Sequence, residues 1–360
     1  MSDDALIETD RAPGCPHPRM AGRVIGHDAA VAEIVAANRA SRLHHGWLIS
    51  GPRGIGKATL AWAMAKWLLS GAESDDLTIP SDLPILHRVM ALSEPRLHLL
   101  RRSVDERSGR VRQEITVDDV RQLHGFFHLS AAEGGRRIAI IDAAEDMNIA
   151  AANALLKLLE EPPRQALILM VTHQPGRLLP TIRSRCRELR LQALHPDAMA
   201  RILTDLGVSE DAMRLSALSG GSAGEAMRLA RQGGLELYDR LLALMADFPR
   251  LDRSAALALA EAAGASPGAD GDPFDLMLTL LDRLLSRAAR TGLHRPPDPV
   301  AAAAEPAVLT RMAPDERAAR RWAVAQAELT ARARAGRAVN LDPSALVLDM
   351  LIGLAKQTGA

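Results

Sequence analysis

The chain holds only two cysteines in 360 residues, Cys15 and Cys186, far apart and with no Cys-x-x-Cys pair. That excludes a disulfide framework and a cysteine-rich zinc module, and it points to a reducing compartment. Aromatic side chains make up 2% of the sequence, which leaves few rings on which nucleic-acid bases could stack. An excess of one charge is also missing, because 44 Lys and Arg balance 44 Asp and Glu. A dominating polyanion-binding field is therefore excluded, and any contact with nucleic acid has to be local. No apolar run approaches the length of a membrane span. Residues Met1 to Asp10 are acidic and lack an apolar stretch behind a basic flank, so they do not read as a secretory signal. A soluble, cytoplasmic protein is expected.

What is present is a hydrophobic content of 48%, enough for two or three domains with cores of their own. A polar lead, Arg11 to Arg19, precedes helical periodicity from Asp28 to Ala40, and Gly46 to Ser50 reads as a buried strand. A glycine-rich turn, Gly51 to Gly56, opens a helix from Lys57 to Leu69 with Leu60, Met64, Trp67 and Leu68 on one face. Residues 71 to 95 look like an irregular insert. Further strands are expected at Leu97 to Arg101, at Ile138 to Asp142 after the Gly134-Gly135 break, and at Ala166 to Thr172. Between the last two, Asn148 to Glu161 reads as a helix stopped by Pro162-Pro163. Continuous apolar strands alternating with helices predict a parallel sheet covered on both faces. Beyond Leu194 strand signals vanish, and an alanine- and leucine-rich helical pattern runs on. The expected fold class is α/β followed by all-α, with domains at 1–193, 194–235 and 236–360. In the last helix, Leu346, Leu348, Met350 and Leu351 form an apolar face that suits either packing against other subunits or an ordinary core within the chain.

Gly51-Pro-Arg-Gly54-Ile-Gly56-Lys57 fits the first seven positions of a phosphate-binding loop, between a strand and a helix, where backbone N–H groups can hold a phosphate. The eighth position carries Ala58 instead of the Ser or Thr whose hydroxyl would ligate Mg²⁺, and Thr59 is displaced by one residue. The alternative is a tight turn with a solvated lysine. Asp142, at the end of an apolar strand, is the candidate metal-side acid, but Ala143 stands where a water-orienting glutamate would follow. Glu145 and Asp146 are read as beginning or capping the next helix. Thr172, ending its strand, is a candidate for sensing a γ-phosphate, or simply a strand terminator. Arg183, Arg185 and Arg187 then alternate through Arg183-Ser-Arg-Cys-Arg187 before a strand at Arg187 to Leu191. In helical geometry such spacing points them to different faces.

The helix and turn Asn153-Ala-Leu-Leu-Lys-Leu-Leu-Glu-Glu-Pro-Pro163, the segment Val171-Thr-His-Gln-Pro-Gly-Arg-Leu-Leu-Pro-Thr-Ile182, Ser184-Arg185-Cys186, and Asn340 to Met350 together resemble the clamp-loader subunits of bacterial DNA polymerase III, delta-prime and gamma/tau. The resemblance implies an AAA+ P-loop domain, a small helical lid and a helical collar that joins subunits in a ring. It implies gamma/tau and delta subunits as partners, with the sliding clamp and primed DNA reached through the complex, and it implies that Arg185 enters the ATP site of a neighbouring subunit.

The motor subunits of that family carry the loop hydroxyl, an acid-Glu pair, a lid arginine and four zinc-binding cysteines. Here Ala58, Ala143 and Gly224 occupy the first three positions, and no cysteine lies between residues 71 and 98. The departures point to the delta-prime branch, which does not hydrolyse ATP itself. No metal is placed, because His87 and His98 without thiolates make a poor zinc site. Residual ATP or ADP binding at Gly51, Gly54, Gly56, Lys57, Asp142 and Thr172 is left open. Three other readings are an active gamma/tau-like ATPase, a P-loop small-molecule phosphotransferase, and a helical scaffold on a degenerate nucleotide fold. The phosphotransferase would leave Arg185 and the helical third without a role.

Overall fold

In the computed structural model, residues 8–105, 108–128, 135–208, 211–268 and 271–358 are described. Met1 to Ile7 and Gly134, which entered the sequence reading, lie outside the described residues. The chain divides into two compact units, Met1–Ala198 and Met199–Ala360.

The first unit is built on a five-stranded parallel sheet in the order β2-β3-β4-β1-β5. Its strands are β1 (Gly46–Ser50), β2 (Leu97–Leu100), β3 (Arg137–Asp142), β4 (Ala166–Thr172) and β5 (Arg187–Arg190). The central strand β4 is buried along its whole length, which is why it has no polar residue before Thr172. Alternation is nonetheless present within the apolar runs. Trp47, Ile49, Ile138, Ile140, Leu167 and Leu169 face the core that holds α1 (Asp28–Arg39) and α2 (Lys57–Ser70). Leu48, Ala139, Ile141, Ile168 and Met170 face the opposite core, with α4 (Val117–His128) and α5 (Ile149–Glu160).

Two helices of this unit go beyond the sequence reading. The expected irregular insert contains α3 (Pro84–Met90), whose proline at the first turn suits a helix start, and α4 lies between β2 and β3. The single apolar face expected for α2 is also too narrow. Residues 60–67 are all buried, because the helix packs against the sheet on one side and against α3 and the 3₁₀ turn Pro18–Met20 on the other.

α6 (Pro180–Arg183) ends the first unit's helices before β5, and α7 (Pro196–Asp205) leads into the second unit. There α8 (Ala212–Ser219), α9 (Ala223–Arg231), α10 (Gly234–Ala246), α11 (Arg253–Ala263), α12 (Pro273–Gly292), α13 (Glu305–Met312), α14 (Glu316–Ala338) and α15 (Pro343–Thr358) follow. Glu305 is fully buried in this unit. Its carboxylate accepts from Arg287 Nε at 2.6 Å and Nη2 at 2.8 Å, from the Tyr238 hydroxyl, and from the Ala301 amide at 2.6 Å. Arg287 also donates to the carbonyls of Pro299 and Ala217, so one buried network joins α8, α10, α12 and α13. In α15, Met350 and Leu351 lie in the unit's own core, while Leu346 and Leu348 are half-buried. Met350 and Leu351 thus serve the intrachain core, the second of the two uses expected for that face.

Candidate functional site

The sheet order sets the site. β1, β4 and β3 lie side by side, with Ser50 in register with Thr172 and Val171 with Asp142. The loop after β1, the end of β3 and the end of β4 therefore meet at the carboxyl edge of the sheet, the usual place for a ligand in an open α/β fold. Gly51 has φ +146°, and a Cβ there would sit 2.5 Å from the Leu191 carbonyl oxygen, so only glycine lets the loop leave the strand. Gly56 caps α2 at φ +98° beneath the imidazole of His27, whose Nε2 is 2.7 Å from the Ile55 carbonyl oxygen.

Lys57 is 6% exposed, and its ammonium donates to the Pro52 carbonyl oxygen at 2.6 Å. Burial pulls its pKa down to about 8, against the opposing pull of Asp142 and Glu145. Asp142 moves the other way, pushed up to about 7 by burial first and then by the nearby Asp10 charge, with Lys57 opposing. Lys57 is thus not the solvated lysine of a plain turn but a buried cation facing a half-buried acid. Thr172 is fully buried, and its Oγ1 accepts from the Gln174 amide at 3.1 Å, so its oxygen caps the turn that ends β4.

Two residues of this neighbourhood carried no signal, or the wrong one. Glu145 does not cap the following helix. Asn148 does, accepting from the Ala151 amide at 2.9 Å. Glu145 instead folds inward on the 3₁₀ turn Ala144–Asp146, where Oε1 accepts from the His173 amide at 2.8 Å and pairs with the His173 ring. Its Oε2 is buried without a hydrogen-bond partner. Asp146 pairs with Arg102 at 3.1 Å. Asp10, the last residue of the acidic stretch that precedes the polar lead, is buried against His17 Nε2 at 2.9 Å and against Arg101. Burial works to raise Asp10, but the hydrogen bond and charge of His17, with Arg101, hold it below the ordinary carboxylate value. Its segment is tied down by Lys66, which donates to the carbonyls of Arg19 and Ala21 at 3.1 and 2.7 Å. Only a knowledge of which loops converge could have picked out these acids.

The fit to a nucleotide is divided. Loop amides and the Lys57 ammonium suit a phosphate. Position 58 has no oxygen to offer a magnesium ion, and position 143 has no carboxylate to orient water. His87 is exposed on α3, and His98 packs on Phe126 with its pKa lowered by burial. No group of metal-ligating side chains is found among the described residues.

Arg185 is not part of this constellation. It lies in the turn between α6 and β5, and its backbone oxygen is 3.6 Å from where a Cβ on Gly46 would stand. Gly46 starts β1, whereas the phosphate loop follows its end, about 15 Å away at ~3.3 Å per residue. Arg185 Nη2 contacts Glu160 Oε1 at 2.8 Å, and Nη1 donates to the Thr181 carbonyl at 3.1 Å. The three arginines do not share helical geometry, because they occupy a helix end, a turn and a strand. Arg183 is exposed, whereas Arg187 pairs with Glu33 at 2.8 Å and covers the Trp47 ring. Cys186 is partly buried, and burial pushes its thiol up to about 12, so it is not a nucleophile.

A glycine loop on β1, an acid on β3 and a polar end on β4, in a sheet ordered β2-β3-β4-β1-β5, define an AAA+ P-loop domain. Residues 26–195 match the family model described as DNA polymerase III, delta subunit. The chain is 39% identical over 193 residues to the DNA polymerase III subunit delta′ of Pseudomonas aeruginosa, covering 52% of this chain and 56% of that protein. It is 34% identical to the delta′ subunit of Bacillus subtilis, with 53% and 55% covered. Against the gamma/tau subunit of Mycobacterium bovis it is 31% identical over 200 residues, with 54% and 33% covered. The chain spans about half the length of the delta′ relatives it matches. Across residues 26–195 the chain is similar to that family and to the matching part of the delta′ subunits.

Proposed function

We propose that this protein is a delta-prime-like subunit of the DNA polymerase III clamp-loader complex. In this reading it presents Arg185 to ATP bound in a neighbouring gamma/tau subunit, and it does not hydrolyse ATP itself. Residues 194–235 act as a lid and 236–360 as a collar that joins gamma/tau and delta subunits. The complex opens the sliding clamp and loads it on primed DNA. The reading carries no zinc site, leaves to Lys57 and the loop amides a weak hold on ATP or ADP, and belongs in the cytoplasm. No helix among the described residues is long and apolar enough to cross a membrane.

The observation that carries the proposal is the separation of Arg185 from Lys57 by the full length of β1. An arginine at the amino edge of the sheet cannot reach its own chain's phosphates, but it can meet those of an adjacent subunit. A fixed guanidinium there stabilises the charge that develops on the transferred phosphoryl group, worth roughly 10³ to 10⁵ in rate in other systems. The test is to mix the protein with gamma/tau and delta subunits and measure ATP hydrolysis with and without clamp and primed DNA. A second reading, an active gamma/tau-like ATPase, is favoured by the buried Lys57 with Asp142 beside it and opposed by Ala58 and Ala143. Mg²⁺-dependent turnover by the isolated chain would select it.

A further inference from the structure

Glu160 is the last residue of α5, followed at once by Glu161. Carboxylates at a helix C-terminus work against the macrodipole, where a cation is preferred, so nothing in the helix itself calls for an acid there. What the acid does meet is Arg185, at 2.8 Å from Nη2. The Thr181 carbonyl oxygen holds Nη1 from the other side at 3.1 Å. Two of the five guanidinium donors are thus engaged within the chain, and the side chain remains about 37% exposed. A free arginine side chain has several rotatable bonds to order before it can meet a phosphate, and ordering it beforehand removes that cost from the encounter.

We propose that Glu160 is a positioning residue for Arg185. It holds the guanidinium fork extended at the edge of the sheet, with its unused N–H groups available to a phosphate of the neighbouring subunit. This rests on the trans-acting reading of Arg185. Glu160 touches no phosphate itself. The contact is a half-exposed ion pair, of little value to folding stability, so its consequence lies in the geometry of the guanidinium.

The experiment uses the assembled complex with gamma/tau and delta subunits, with ATP hydrolysis measured at saturating clamp and primed DNA. Glu160→Ala should lower kcat about three- to tenfold and leave KM for ATP unchanged, because the loss is of orientation and not of ATP binding. Glu160→Gln keeps an oxygen that accepts from Nη2 and should restore most of the rate. Adding Glu160→Ala to Arg185→Ala should lower the rate no further than Arg185→Ala alone. An unaltered or raised rate in Glu160→Ala, with Arg185→Ala impaired, overturns the positioning role alone. An unaltered rate in Arg185→Ala overturns the trans-acting reading and the positioning role with it.

Discussion

The Lys57 ammonium donates a 2.6 Å hydrogen bond to the carbonyl oxygen of Pro52, five residues back in the same loop. A phosphate entering the loop has to compete with that bond, and no hydroxyl at position 58 brings a metal ion to help. The isolated protein should therefore hydrolyse ATP no faster than background in a steady-state assay. Turnover near one per second that Lys57→Ala abolishes would return the motor reading to first place.

Any nucleotide the loop does bind should be released as pH rises. Burial lowers Lys57 to about 8, so its charge is lost as pH passes that value. Asp142, raised to about 7, loses its proton on the way and then repels the phosphates. Both changes have the same sign. Fluorescent ATP should bind more weakly at pH 9 than at pH 6.5, with the dependence flattened in a Lys57→Met, Asp142→Asn double variant. An affinity independent of pH would show that neither group faces the phosphates.

Glu305 should be the most sensitive single position in the helical unit. Glu305→Ala leaves Arg287 buried without its counter-charge, a loss expected to cost about 3–5 kcal/mol in denaturant unfolding. Burial alone would raise the Glu305 pKa, but hydrogen bonds from Arg287, Tyr238 and the Ala301 amide hold it below the ordinary value. A carboxylate with a lowered folded pKa contributes stability above its unfolded value near 4.5 and loses it as pH falls through the folded one. The acid-induced loss should therefore be smaller in Glu305→Ala than in the unmodified protein.

The sheet was legible in the sequence because its inner strands β1, β3 and β4 are buried on both faces, and continuous apolar runs such as Ala166 to Thr172 suit no exposed element. The loop was legible because Gly51, Gly56 and Lys57 are fixed by local backbone geometry. Asp10, Glu145 and Glu160 were not, since each acquires its partner only when distant segments meet. His17 and Arg101 for Asp10, His173 for Glu145 and Arg185 for Glu160 lie on different loops or elements. The breadth of α2 burial failed for the same reason: its second apolar face is covered by the chain before α1 and by α3.

Removing Met199–Ala360 should leave the first unit folded but unable to join the complex. A cut near residue 235 is a poorer test, because the Glu305 network ties the Ala217 carbonyl on α8 to Arg287 on α12. It would leave a fragment of a shared core exposed. Val324, Val339 and Leu341, each more than half exposed, remain for packing against other subunits. Size-exclusion chromatography of residues 1–198 with gamma/tau and delta subunits provides the check. An intact complex would show that the helical unit is not the collar.

Arg185 carries the functional reading, and its two neighbours provide internal controls. Arg187 is spent within the chain on Glu33 and the Trp47 ring, so Arg187→Ala should act on stability, by about 1 kcal/mol or less, seen in thermal unfolding. Arg183 ends α6 in an exposed position, and Arg183→Ala should change ATP hydrolysis little. Arg185→Ala should leave the complex assembled, lower its clamp- and DNA-stimulated ATP hydrolysis, and slow clamp loading. Arg185→Lys keeps the charge but loses the planar fork that reaches both Glu160 and Thr181, so it should also be impaired. If Arg185→Ala hydrolyses ATP and loads clamps at the unmodified rate, Arg185 serves only its own chain, as the partner of Glu160.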